Sequence, residues 1–252
     1  MNKIFSVVLF AVVLLVPGLS AAQTYVTQEV KVSNGWNLHG AVTGTPLFPW
    51  PTFGNLVDND PTNGVWWNIG GLTENIVSVW KWNAEAYKWE FYSPRLDSTT
   101  MAGYAQNHGI GVLSVINPGE GFWILSKGET WMYQSGYLAD DLITTWGLGG
   151  GVKNGWNLLA VPVGMTVEEF AGLFDQNPPA PGVIPGVDKI MSVWGWDSAA
   201  GKWKFYSPQM LQYYEPWYMD RFIAEKGYTH FTEPLQQGEA VWVYYQMYGG
   251  KG

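Results

Sequence analysis

Three blocks of residues occur twice in this chain, in the same order, and no other feature constrains its fold as strongly. Asn34-Gly-Trp-Asn-Leu38 returns as Asn154-Gly-Trp-Asn-Leu158. Ser78-Val-Trp-Lys-Trp82, followed by Trp89-Glu-Phe-Tyr-Ser-Pro94, returns as Ser192-Val-Trp-Gly-Trp196 and Trp203-Lys-Phe-Tyr-Ser-Pro208. Gly119-Glu-Gly-Phe-Trp123 returns as Gly238-Glu-Ala-Val-Trp242. The block offsets are 120, 114 and 119 residues, too long for a solenoid repeat and right for a duplicated domain. The expected organisation is a leader over 1–22, one repeat domain over 23–143 and a second over 152–252. The boundary falls near Thr144–Gly151, where Gly147-Leu-Gly-Gly-Gly151 breaks any periodic pattern.

The leader reads as an export signal. Lys3 gives a positive start, Ile4 to Pro17 is almost wholly apolar, and Ser20-Ala21-Ala22 places small residues before a cleavage point at Gln23. No later stretch approaches the roughly 20 apolar residues of a membrane-spanning helix. A secreted, periplasmic or cell-surface protein is therefore expected. With 0 cysteines, no disulfide holds such a protein together, so apolar burial must.

Each copy predicts the same sequence of elements. Val26–Val32 and Trp36–Val42 read as strands around an Asn34-Gly35 turn. Thr166-Val-Glu-Glu169 is a capping box opening a short helix through Phe170 and Phe174. The Trp80 and Trp194 blocks alternate with period two, as hairpins do. Met101, Tyr104 and Ala105 before Gly109, and Met219, Phe222 and Ile223 before Gly227, form helical stripes with a glycine at the same end. A last strand pair is expected at Val112–Ile116 and Phe122–Leu125. The fold class is thus α+β: two tandem, mostly antiparallel domains with two short helices each.

One hairpin turn is anomalous. Asp197-Ser-Ala-Ala-Gly201 suits a type I turn closed by a left-handed glycine, but Tyr87 stands where Gly201 does. Either Tyr87 is strained or the first turn has another geometry.

The blocks resemble a repeat of secreted bacterial proteins: Gly-Trp-Asn-Leu, then Val-Trp-x-Trp-Asp, then Pro-Gly-Glu-Gly-Phe-Trp. The resemblance covers nearly all the chain after the leader, twice, and implies no activity. Asn83 departs from it where Asp197 conforms, and Ala240 departs where Gly121 conforms.

No catalytic constellation emerges. Glu120 and Glu239 are the acidic pair shared by both copies, and each reads as an acceptor for backbone N–H groups of its own turn. Ser93 and Ser207 read as turn residues. No cofactor is expected. His39, His108 and His230 have no counterparts in the other copy, and His108 reads as a helix-end residue rather than a metal ligand. Asp58, Asp60 and Asn63 imitate part of a calcium loop that Pro61 interrupts and no glutamate completes. A formal charge of −8 argues against nucleic acid as a partner.

The tryptophans sort by the repeat. Five pairs are equivalent: 36/156, 80/194, 82/196, 89/203 and 123/242. A residue used twice in one place belongs most simply to the shared fold, so this face reads as core. The competing reading is an exposed aromatic platform for sugar rings. Trp50, Trp66, Trp67 and Trp217 have no partner, and Trp66-Trp67 lies where the first copy is longer. Loops carry function more often than cores do, so these four are the candidate ligand-binding residues. The expected function is non-enzymatic binding or surface assembly, with a glycan or cell-surface partner. A carbohydrate-binding module and a glycan-processing enzyme are the alternatives.

Overall fold

A computed structural model describes residues 25–42, 72–137, 151–175, 177–215 and 217–246. Trp50, Trp66, Trp67, the Asp58–Asn63 segment, the leader and most of the expected boundary lie outside these residues. Among the described residues no helix is long and apolar enough to cross a membrane.

The chain is α+β with mostly antiparallel strands. In order, the elements are β1 (Tyr25–Val32), β2 (Gly35–Gly40), α1 (Leu72–Asn75), β3 (Ile76–Asn83), β4 (Lys88–Tyr92), α2 (Ser98–His108), β5 (Gly111–Val112), β6 (Gly121–Ser126) and β7 (Thr130–Tyr137). There follow β8 (Gly155–Ala160), α3 (Val167–Gly172), β9 (Ile190–Asp197), β10 (Lys202–Tyr206), α4 (Pro208–Tyr213), α5 (Trp217–Lys226) and β11 (Ala240–Tyr245). One sheet has the order β2-β6-β3-β4-β5 and the other β8-β11-β9-β10. The first four strands of each sheet therefore follow the same order, block for block.

Local signals locate the elements well. Asp97 caps α2 by accepting from the Thr100 N–H, and Gly109 ends it at φ 68°. Thr166 and Glu169 form the expected capping box on α3. Gly227, at φ 72°, follows α5 as the stripe requires. The repeated Asn-Gly-Trp-Asn is a closed corner. Gly35 and Gly155 take φ 95° and 97°, which a side chain disfavours. Asn37 accepts from the Ser33 N–H at 2.8 Å and donates to the Ser33 and Gly35 carbonyls, and Asn157 does the same with Lys153 and Gly155.

Two strand pairings differ from expectation. Rather than forming a hairpin with β2, β1 pairs with β7 in a separate two-stranded sheet, and β2 pairs with β6. The Asn37 corner is why: it holds Ser33–Gly35 in a tight bend that turns β2 away from β1. Likewise β5 does not pair with β6. It is a two-residue parallel addition to β4, while β6 lies between β2 and β3. The second half also carries three helices rather than two, because Ser207 and Pro208 start α4 directly after β10.

Each sheet buries its outer face, the first against the β1–β7 pair as well as loops and the second against α3 and loops. Val79, Phe122, Ile124, Ile116 and Met132 form one such core, and Val193, Val241, Phe170, Phe174 and Ile190 the other. The inner faces meet each other.

Candidate functional site

Strand register sets the inner faces. Across the first sheet, Leu38, Trp123, Trp80 and Phe91 stand in one row, and Leu158, Trp242, Trp194 and Phe205 form the same row in the second. Two residues further along lie Gly40 paired with Gly121 and Trp82 paired with Trp89. In the second sheet the equivalents are Ala160 with Ala240 and Trp196 with Trp203. Small residues therefore sit on the strands that meet, and tryptophans on the strands beside them.

The two sheets interlock at the small residues, and each contact has a mirror. Gly40 N–H donates to the Gly238 carbonyl at 2.8 Å, and Ala160 N–H to the Gly119 carbonyl at 2.9 Å. The Trp82 indole donates to the Trp156 carbonyl at 2.9 Å, and the Trp196 indole to the Trp36 carbonyl at 2.9 Å. A Cβ built on Gly40 would lie 2.3 Å from the Ala160 Cβ, and one on Gly121 would lie 2.8 Å from the Ala240 Cβ. Equivalent positions thus face one another across a local twofold axis. Ala240, which departs from the repeat pattern, is the partner of the glycine that makes room for it.

Aromatic contacts follow the same exchange. Trp123 packs on Trp196 and Trp203, each with centroids 5.7 Å away, while Trp242 packs on Trp82 and Trp89 at 5.9 and 5.4 Å. Most of these pairs meet edge to face, the arrangement the ring quadrupole favours. Trp80 and Trp194 turn their indole N–H groups back to Ser78 and Ser192 on the same strand, at 2.9 and 3.0 Å. Among the described residues, all five repeated pairs and nothing else line one open cavity of about 870 Å³. Trp123 is buried, Trp36 and Trp156 are exposed at 42% and 38%, and the other seven are half-buried. A closed core would leave none of them open to solvent.

Around this cavity the remaining sequence candidates have structural duties. Glu120 and Glu239 accept from the N–H groups of Asn117 and Gln236, at 2.6 and 3.0 Å, as turn acceptors do. Glu120 also pairs with the buried Lys81, which reaches Glu90 at 3.3 Å. Ser93 and Ser207 donate to the Val77 and Met191 carbonyls, at 2.8 and 2.7 Å, closing the base of each hairpin. His108 lies 2.8 Å from the Tyr104 carbonyl and stacks on the Tyr104 ring. His39 replaces the Leu159 of the second half. Burial lowers its pKa to about 4, and its Nε2 is enclosed without a partner.

Trp217 is 55% exposed at the start of α5, next to Tyr214 and Tyr218, and is not part of the cavity lining. Sequence repetition singled out the ten lining tryptophans and read their face as core: Trp123 is buried with Leu38, Leu158 and Ala240, six more pack against that cluster, and Trp36 and Trp156 stand open. The row of Gly40, Gly121, Ala160 and Ala240 beside them is the signal for two such faces meeting at close range.

Comparison with protein-family models, with curated proteins and with solved structures finds no match.

Proposed function

We propose that this chain is an exported, non-enzymatic binding protein built by duplication, whose ligand occupies the tryptophan-lined cavity between the two sheets. One observation carries the reading: ten tryptophans from two repeats, nine of them at least partly open, line a single cavity large enough for a small molecule. The repeated blocks, shared strand order and mirrored contacts support duplication. The leader supports export. Among the described residues no carboxylate, histidine or hydroxyl lines the cavity, so binding fits it better than hydrolysis. A sugar needs polar partners beside the ring faces, and four of the ten indole N–H groups are already committed within the protein.

The test is titration of the mature chain with the neutral fluorophore N-phenyl-1-naphthylamine. A saturable rise in fluorescence is expected, weakened at least fivefold by replacing the rim residues Trp36 and Trp156 with Ala. No binding would refute the cavity as a site. Binding lost instead in a Trp66→Ala/Trp67→Ala variant, with the rim variant unaffected, would move the site to the first-copy loop.

A further inference from the structure

We infer that the cavity selects a methylated ammonium group, the headgroup chemistry of choline; this rests on the cavity being the ligand site. The lining itself narrows the choice. Every lining residue among the described ones is tryptophan, the aromatic whose face attracts cations best. Leu38 and Leu158 pack beneath the indoles, so among the described residues the surface turned to the cavity is left to tryptophan. A primary ammonium, or a polyol, must be given hydrogen-bond acceptors when it leaves water. Among the described residues the lining side chains offer none: they carry only indole N–H donors. A quaternary ammonium has no N–H to satisfy, so it loses least on entering such walls.

Charge acts in the same direction. The chain carries a formal −8, and −9 once Lys3 leaves with the leader, so its field disfavours anionic amphiphiles such as fatty acids and favours a cation. The three-ring clusters are not themselves the cages. Trp82, Trp89 and Trp242 have centroids 5.4–5.9 Å apart, and Trp123, Trp196 and Trp203 lie 5.2–5.7 Å apart. Those rings already touch, so no cation sits inside either cluster.

The experiment is calorimetric and fluorescence titration of the mature chain with tetramethylammonium and choline, at constant ionic strength. The uncharged isostere 3,3-dimethyl-1-butanol is the control. We expect saturable binding of both cations, at least tenfold tighter than the isostere. Replacing the tryptophans biosynthetically with 5-fluorotryptophan should weaken cation binding while the fold, read by circular dichroism, is unchanged. Sedimentation with phosphatidylcholine vesicles separates the sources: co-sedimentation places the headgroup on a lipid, and its absence alongside choline binding places it on a free molecule. Equal affinity for the isostere, or no effect of fluorination, would overturn the inference, and N-phenyl-1-naphthylamine binding would still stand for the cavity as an apolar site. Failure of that probe together with the cations would remove both readings.

Discussion

The phenol of Tyr87 donates to the Asn154 carbonyl at 2.6 Å, and the tyrosine does so from a left-handed backbone at φ 49°. The first hairpin keeps the turn of the second, whose Gly201 sits at φ 62°, and accepts the strain of a side chain there. The tyrosine ring lies over Gly155, where a Cβ would fall 3.4 Å from its Cε1. The strained residue thus reaches from one half of the chain to the corner of the other. Tyr87→Phe should lose about 1 kcal/mol, the net value of one hydrogen bond. Tyr87→Gly should be no less stable than Tyr87→Phe, because glycine relieves roughly 1–2 kcal/mol of left-handed strain. Urea melts of the two variants decide it, and a glycine variant clearly below the phenylalanine variant would show the strain to be negligible.

Gly40→Ala should be destabilising by about 1–3 kcal/mol, the usual cost of overpacking. Its new methyl group would meet the Ala160 Cα and the Glu239 carbonyl at 2.6 Å, and backbone cannot rotate aside. The same substitution at an unhindered position stabilises by roughly 0.4–1 kcal/mol, so the sign of the change is the informative result. Ala160→Gly in the same chain should restore part of the loss.

Lys81 is buried between Glu90 and Glu120, whereas the second half has Gly195, Lys204 and Glu239 in the matching places. There the lysine's room is taken by Phe231, whose Cε1 would lie 2.8 Å from a Cβ on Gly195. Lys81→Met leaves two carboxylates without their cation, Glu90 keeping only Asn83 and Glu120 the Asn117 N–H, and should cost about 3–5 kcal/mol. Adding Glu90→Gln and Glu120→Gln should recover much of that, measured as a coupling in chemical denaturation. Additive losses would show that the three groups do not act together.

His39 makes stability depend on acid. Its folded pKa of about 4 lies below the unfolded value near 6.5, so protons bind the unfolded chain more readily. Its contribution is intact above pH 6.5 and is lost as the pH falls towards 4, by about 2 kcal/mol at pH 5. Lys31, Lys204 and Glu239 line the same small pocket, and the two lysines oppose a positive imidazole as well. His39→Leu, the residue found at position 159, should flatten the stability profile between pH 7 and 5. Parallel profiles for the two proteins would contradict this.

What the sequence reveals and conceals divides along a physical line. Turns, caps and helix ends depend on a few neighbouring residues, so the Thr166 box, the Gly109 and Gly227 ends and the Tyr87 anomaly are readable directly. Strand partners depend on packing far along the chain, and the signal at Asn34-Gly35, which suits a hairpin, is outweighed by the Asn37 corner. The tryptophans show a further limit. Repetition marks Trp80 and Trp194 as parts of one scaffold, yet it is silent on whether the face they share is sealed or open. That depends on how closely two sheets approach, and hence on the side chains at positions 40, 121, 160 and 240.

Those four positions have a historical implication. In a pair of identical chains, a residue on the axis confronts its own copy, so any methyl group added there arrives twice and collides with itself. Within one continuous chain the two sides are encoded separately. Here the first half carries glycine at both crossing points and the second carries alanine, a combination no symmetric dimer could encode. On the proposed duplication, a fused frame is free to diverge, as Lys81 against Gly195 and His39 against Leu159 would record, while the ten aromatic positions keep matching identities.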